Sequence, residues 1–385
     1  MLPVITIDGL STTDFDDALS IEEIDNHYRL GIHISDVGHF IKKGDIIDQE
    51  ALARGSSIYM MDQKISMIPP ELSEDLCSLK VGELRPAINI MVNLSQSCEI
   101  IDYEIIPSMI KVAHRLTYYD VNIIADDDKG IIILRDIAEK FRQDRMASGA
   151  VQITLPDINV WIDGDGEVAV SRINRESPGR MLVSEIMIMA NWLMAKFLAE
   201  HNMPAIFRSQ TAPRERLYKG NEGTLFKNWM QRRLLNRFVL RHEPEHHSGL
   251  GLNAYVTATS PIRKYFDLAT QRQIRAVFGL EEPSTPEQID NMIQLLEQPM
   301  GCVTKIQYNR NKYWLLKYLE KRIGQKEEAV VLSKKRTGFQ ILLKEYLIEC
   351  DLSLPNGFDL KPEDLVQVKI QHVNARRDVV SVFMG

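Results

Sequence analysis

Cysteine is scarce in this sequence, and it is scattered. Cys77, Cys98, Cys302 and Cys350 are the four, and no two have the spacing of zinc ligands. This excludes a disulfide-framed secreted scaffold and a zinc finger, and it implies free thiols in a reducing compartment. Basic charge is not in excess either: 46 Lys and Arg stand against 53 Asp and Glu, a formal net charge of −7. Nucleic-acid binders are usually basic overall, so any such role must come from a local cleft rather than the whole surface. There is no collagen repeat, heptad run or low-complexity tract. The longest apolar stretch, near 181–199, carries Glu185, Asn191 and Lys196 and is expected to be a buried helix, not a membrane span. Met1-Leu2-Pro3 leads straight into a strand-like run, so no leader peptide is expected. A cytoplasmic location without a membrane partner follows as an expectation.

What is present reads as a mixed α+β chain. At 385 residues, two or three domains are expected. Apolar and β-branched runs predict strands at 3–8, near 17–24, at 28–37 and at 87–95. Helical periodicity covers 46–57, 131–148 and 176–201. Between the last two lies a β-like piece with a turn at Asp163-Gly164-Asp165-Gly166. Further helices are expected at 223–241, 262–278, 286–298 and 301–323, which makes the second half mostly helical. From about 326 the character changes. Five short strand patterns follow in sixty residues, at 329–332, 338–343, 347–350, 366–370 and 379–383. That count and size fit a small five-stranded OB barrel. The expected division is a catalytic domain over 1–325 and a barrel over 326–385.

Chemistry concentrates near the start. Asp8, Asp14, Asp16 and Asp17 fall within ten residues. Carboxylates gathered in one site repel one another unless a cation sits among them or some bind protons. Hard divalent ions prefer oxygen ligands. Two such ions can stabilise the attacking and leaving oxygens of an in-line phosphodiester displacement. The competing readings are a solvated acidic turn and a calcium loop. The EF-hand template fails, because Leu19 stands where it needs glycine.

The surrounding segments resemble the ribonuclease II and ribonuclease R family, the RNB exoribonucleases. Thr6-Ile7-Asp8-Gly9, four residues, then Asp14-Phe15-Asp16-Asp17-Ala18 is similar to its catalytic signature. In the family's order follow Leu30-Gly31-Ile32-His33-Ile34-Ser35-Asp36-Val37, Arg54-Gly55-Ser56-Ser57-Ile58-Tyr59, and Ile68-Pro69-Pro70-Glu71-Leu72-Ser73 with Leu76-Cys77-Ser78-Leu79. Then come 182–191 and Thr259-Ser260-Pro261-Ile262-Arg263-Lys264-Tyr265. The resemblance covers about residues 4–320. It implies a mixed-sheet RNB catalytic fold and 3′-to-5′ hydrolysis of single-stranded RNA to nucleoside 5′-monophosphates. Mg2+ would be the cofactor, with Mn2+ a possible substitute. Asp8 and Asp17 would hold the primary ion. Asp14 and Asp16 would be the remaining acidic partners, helping hold a second ion or the attacking water, with Asp16 indispensable for the chemistry. Arg263 would face a phosphate, its planar fork suited to the task, from the first turn of a helix opened by Pro261. Tyr59 would stack on the terminal base or bond a phosphate.

Several features depart from the family or compete with it. Gln307 stands where a glutamate is common, and could hydrogen-bond ribose without carrying charge. Thr257-Ala258 replace a histidine and an aromatic. The OB domains that usually precede the catalytic one are expected to be lacking. A rival reading is therefore an RNB-fold RNA-binding or regulatory protein with weakened catalysis; protein partners are not indicated. Arg232, Arg233, Arg237 and Arg241 on one expected helix would form either a basic strip lining an RNA path or a solvated face. Lys334-Lys335-Arg336 could meet phosphates. Phe339 and Tyr346 are the aromatic candidates for stacking, with core packing competing for Phe339. His242-Glu243-Pro244-Glu245-His246 matches the zinc-protease string, but Pro244 breaks the helix that string requires. Gly249-Leu250-Gly251-Leu252 is no dinucleotide fingerprint, because it lacks the third glycine.

Overall fold

Alternation of apolar and polar residues builds the first half. In a computed structural model, which describes residues 2–220, 223–353 and 359–385, the opening strands are β1 (Leu2–Asp8), β2 (Asp17–Ile24) and β3 (His27–Ser35). Helix α1 (Ile46–Arg54) and a small hairpin of β4 (Ile58–Tyr59) and β5 (Lys64–Ile65) follow. Then come β6 (Leu84–Ser95), β7 (Ile100–Lys111) and β8 (His114–Thr117). Six of these form one sheet, in the order β7-β6-β3-β2-β1-β8. All its pairings are antiparallel except that of β1 with β8, where Asp8 stands opposite Thr117.

Ile5, Ile7, Leu19, Ile21, Leu30, Ile32, Ile34, Ile88, Ile90 and Val92 share a core under that sheet. A capping box at Thr117 opens α2 (Tyr118–Ile124), and Asp128 caps α3 (Lys129–Ala147). A hairpin of β9 (Asp157–Ile162) and β10 (Val168–Ile173) leads to α4 (Pro178–Glu200). Both α3 and α4 contribute side chains to the same core, among them Leu134, Ile137, Ile186 and Leu193. Among the described residues α4 is the one helix long and apolar enough to cross a membrane, and it lies mostly buried. Its Glu185 is neutralised by a bidentate pair with Arg145, Nε donating to Oε2 at 3.1 Å and Nη2 to Oε1 at 2.7 Å.

The second half departs from the expected helices. Strand β11 (Phe207–Ser209), helix α5 (Leu225–Leu234) and strand β12 (Val239–Arg241) come first. The helix expected over 223–241 therefore ends at Leu234. The chain turns extended at Leu235, and β12 pairs with β11 instead. The basic strip does not form. Arg232 lies over Trp229, Arg233 pairs with Glu349, and Arg241 sits in β12 beside Glu245. His242, after β12, is held by Asp290 at 2.9 Å.

Helix α6 (Tyr265–Val277) starts later than expected, because residues 261–263 form a turn rather than helix. Helix α7 (Pro286–Glu320) is continuous through Pro299, where two helices were expected. Pro299 removes one backbone donor, yet the helix continues through it, and the site is packed. A Cβ added to Gly55 would come within 3.1 Å of the Pro299 ring, at a backbone φ of +71° that favours glycine.

The tail forms the expected closed barrel, from β13 (Lys326–Lys335), β14 (Gly338–Leu343), β15 (Ile348–Leu352), β16 (Leu365–Asn374) and β17 (Val379–Met384). Its strand order is β13-β14-β15-β17-β16. The two aromatic candidates for stacking are core residues: Phe339 is 4% exposed and Tyr346 is 5% exposed, its hydroxyl bonded to Glu327. Alternation in β14 turns Phe339 toward the barrel core with Ile341, and the turn between β14 and β15 lays Tyr346 against the same core. All four cysteines are free thiols.

Candidate active site at the end of the first strand

The loop between β1 and β2 is pinned from several sides. Phe15 donates its N–H to Ser78 Oγ at 3.0 Å, and its carbonyl accepts from Leu79. Ser78 Oγ in turn donates to the carbonyl of Thr13. The Asp16 carbonyl accepts from the N–H of Ser35, at the end of β3, at 2.8 Å. The loop is thus fixed to the Leu76-Cys77-Ser78-Leu79 segment and to the sheet, and its carboxylates project from a stiff backbone.

Asp16 is 3% exposed and uses both oxygens. One accepts from the backbone N–H of Ile262 at 2.9 Å, and the other from Arg263 Nε at 2.8 Å. The Ser260-Pro261-Ile262-Arg263 turn that supplies them is itself held. The Arg263 carbonyl accepts from the N–H of Ser57 and from Ser56 Oγ, and Asp267 caps Ser260. Only the Nε edge of Arg263 faces Asp16; 39% of the side chain stays open. Tyr59 donates its hydroxyl to Asp14, and Lys64 Nζ lies 3.2 Å from the same carboxylate.

Burial dominates the electrostatics. Asp8 is raised to about 6 by desolvation, against the pull of Arg263 and Arg115. Asp16 is raised to about 7, again by burial first, with Arg263 and the Ile262 N–H opposing. Asp17 is raised well above the usual carboxylate range by burial and by its neighbours Asp8 and Asp16. Burial works against the charge of Arg263, but Asp16, Tyr59 and Asp17 around it hold the guanidinium firmly protonated. Clustered, desolvated carboxylates facing a fixed cation are a common mark of a functional site.

The four aspartates therefore converge, but not as one cage. Among the described residues no three carboxylate, imidazole or thiolate groups are arranged to hold a metal ion directly. The expected four-aspartate cage divides instead. Asp14 is occupied by Tyr59 and Lys64, and Asp16 by Arg263 and Ile262. Asp8 keeps Oδ2 buried with no hydrogen-bond partner, and Asp17, half-buried at the start of β2, acts on it as a neighbouring charge. A hard divalent ion fits that pair, because it would satisfy the orphaned oxygen and relieve their mutual repulsion. Gln307 is not brought in: it lies half-buried on α7 and forms no hydrogen bond to the aspartates, Tyr59 or Arg263.

Three site residues escape a reading of the sequence. Lys64 sits on β5, facing Asp14. Tyr118 follows Thr117 at the end of β8, opposite Asp8; its phenol is pushed up to about 12, by burial first and then by Asp8 and Asp17. Arg115 bonds the carbonyls of Gly9 and Leu10. The signal for the last two was available in Arg115-Leu116-Thr117-Tyr118, but only the parallel pairing of β1 with β8 makes it meaningful.

The RNB domain model matches residues 1–279. The chain belongs to the RNB family. It is 32% identical to an uncharacterised ribonuclease of Synechocystis, over 98% of this chain and 58% of that protein. It spans little more than half the length of the curated relatives it matches. The fold is that of ribonuclease R from Mycoplasma genitalium in complex with ribose-methylated single-stranded RNA, with a TM-score of 0.86 at 18% identity, covering 100% of this chain and 71% of that one. It is also shared by yeast Ssd1, a pseudonuclease, with a TM-score of 0.76 at 16% identity over 91% of this chain and 49% of that one.

Proposed function

We propose that this chain is a divalent-cation-dependent 3′-to-5′ exoribonuclease, acting on single-stranded RNA and releasing nucleoside 5′-monophosphates. The observation that carries the reading is Asp16, buried and locked between the Ile262 N–H and Arg263, beside the unpartnered Oδ2 of Asp8. Asp8 and Asp17 would hold the cation, Mg2+ with Mn2+ as the substitute. When bound, the ion lowers the pKa of a coordinated water and offsets charge on the phosphate. The open edge of Arg263 is free to take a non-bridging phosphate oxygen, while Asp16 fixes the guanidinium plane. Breaking the P–O3′ bond leaves the phosphate on the 5′ oxygen of the released nucleotide. The ring of Tyr59, 38% exposed, offers a face for the terminal base, and stacking of that kind does not read sequence.

Names of relatives support the same reading, since those matched include ribonuclease R and exoribonuclease 2. The second reading, an RNA-binding member with weakened catalysis, draws on the likeness to a pseudonuclease. Against it stand all four aspartates, Tyr59 and Arg263. Incubating the chain and Mg2+ with 5′-labelled unstructured RNA separates the two. A descending ladder with mononucleotide product supports the nuclease. Tight binding without shortening of the label would establish the binding protein instead.

A further inference from the structure

The acidic cluster contains a lysine for which the aspartate-rich loop gives no hint. Lys64 stands opposite Tyr59 in the β4–β5 hairpin. Directly paired residues in an antiparallel ladder project to the same face, so this register sends both side chains to Asp14. Tyr59 and Lys64 meet on one oxygen, Asp14 Oδ2. The hairpin is clamped at its turn, where Asp62 pairs with Arg310 of α7 and Met60 N–H bonds the Gln63 carbonyl. Lys64 is also tied to Glu74 at 2.9 Å, and its side chain is only 24% exposed. It is therefore a held cation, not a solvated one.

The ion pairs of the site fall on Asp14 and Asp16, with Lys64 and Arg263 respectively. Four carboxylates carry four negative charges, and these two side chains return two. Glu74 shares Lys64 with Asp14, and the charge of Arg115, which acts on Asp8, offsets it in the sum. What remains is the charge of a single divalent ion, beside the unpartnered oxygen of Asp8.

We infer that Lys64 is a charge-balancing, positioning residue that takes the place of a second divalent cation, so that this site works with one metal ion per chain. The inference rests on the nuclease reading for its purpose, but its content is a metal count. Lys64 acts through Asp14: it neutralises that carboxylate and keeps it, with the Tyr59 hydroxyl, turned away from Asp8 and Asp17. Replacing the ammonium by an apolar group restores a carboxylate that must find another cation.

The test counts Mn2+ bound to the intact chain by the loss of the free-ion electron paramagnetic resonance signal. Wild type should bind one ion tightly. Lys64→Met should bind two, and its hydrolysis of a labelled adenosine homopolymer should need about tenfold more Mg2+ for half-maximal rate, the weight of one partly screened charge a few ångströms away. Lys64→Arg should return to one ion and to the wild-type Mg2+ requirement, a rescue that a merely structural role would not produce. Two tight ions in wild type would overturn the inference whatever the variants do. So would a folded Lys64→Met that still binds one ion with an unchanged Mg2+ requirement; Lys64→Gln serves if the methionine variant does not fold. A wild type that binds one ion but leaves RNA intact would sink the nuclease reading alone.

Discussion

Two clusters of buried charge meet at Ser35, and they are built on opposite terms. On one side Ser35 N–H holds the carbonyl of Asp16 and the cluster of Asp8, Asp14, Asp16 and Asp17. On the other the Ser35 carbonyl accepts from Gln271 of α6, and two arginines of that helix enter a second cluster. There Arg272 meets Asp48 at 2.7 Å and Glu281 at 3.3 Å. Arg275 meets Asp36 and Glu281, and the Tyr265 hydroxyl donates to Asp48. Three carboxylates share two guanidiniums in close contact there. In the first cluster, four carboxylates have two cations, and two of the four have no ion pair. The difference is that the second cluster is nearly closed and fixes α6, which begins two residues after Arg263. The first is left open to a cation and a phosphate.

If that contrast is right, a small change in the open cluster should end the chemistry and spare the fold. Asp16→Asn keeps the shape but removes the charge facing Arg263. RNA hydrolysis should fall by at least about 10^3-fold, while RNA affinity and the melting temperature stay close to wild type. Single-turnover cleavage beside a filter-binding titration measures both. Cleavage at near wild-type rate would mean the cluster has been misassigned.

The closed cluster should respond in the reverse way. Arg272→Met leaves Asp48 buried without its ion-pair partner and Glu281 with Arg275 alone, and breaking a buried pair costs on the order of 3–5 kcal/mol. Urea unfolding should show that loss, and the protein that remains folded should still shorten RNA. A variant with unchanged stability would show that Asp48 does not depend on Arg272.

Much of this contrast was legible in the sequence, and the reasons for the rest are specific. The open cluster could be read because its four aspartates fall within ten residues and carry a recognisable spacing. Arg263 could be attached to it only through the Ser-Pro-Ile-Arg-Lys-Tyr resemblance, since nothing local says that residue 263 reaches residue 16. Lys64 and Tyr118 were missed because their place depends on pairings, β4 with β5 and β1 with β8, that no local pattern announces. The same cause over-extended α5: residues 237–241 are compatible with helix, and pairing with β11 overrides that propensity. Pro299 divided α7 on paper because proline lacks a donor, but tertiary packing at Gly55 accepts it. The barrel strands were readable from alternation alone, while the burial of Tyr346 was not, because it lies in the turn between β14 and β15, where no strand period applies and only the closed barrel brings Glu327 to its hydroxyl.

The open cluster also makes a pH prediction with a definite sign. Asp8 and Asp16 have folded values of about 6 and about 7, above the ordinary 3.8. The folded state therefore holds their protons more tightly than the unfolded chain does. That contribution is fully present below about pH 4 and is lost as the pH rises through 6 and 7. In chelator, stability should fall between pH 5 and pH 8 by up to about 4 kcal/mol, and the melting temperature with it. Mg2+ at pH 8 should recover it, and Asp8→Asn should flatten the slope and stabilise the metal-free protein at pH 8. A metal-free protein equally stable at both values would indicate that the site does not carry surplus charge.

The smallest expected effect concerns Tyr59, which belongs to the open cluster through its hydroxyl and to the substrate path through its ring. The two parts can be separated. Tyr59→Phe removes the bond to Asp14 and keeps the ring; Tyr59→Ala removes both. A base stacked on an aromatic is worth about 1–3 kcal/mol, a small share of the binding of a long RNA but a large share for a fragment of a few nucleotides. Long RNA should therefore be shortened by Tyr59→Ala at a rate near wild type, and the digestion should stop at longer end products. Tyr59→Phe should keep the wild-type end product, with Lys64 alone left to hold Asp14. End products on a sequencing gel, from a labelled homopolymer, decide between them. If both variants stop at the wild-type length, the exposed ring of Tyr59 does not hold the terminal nucleotide, and its contribution is confined to positioning Asp14.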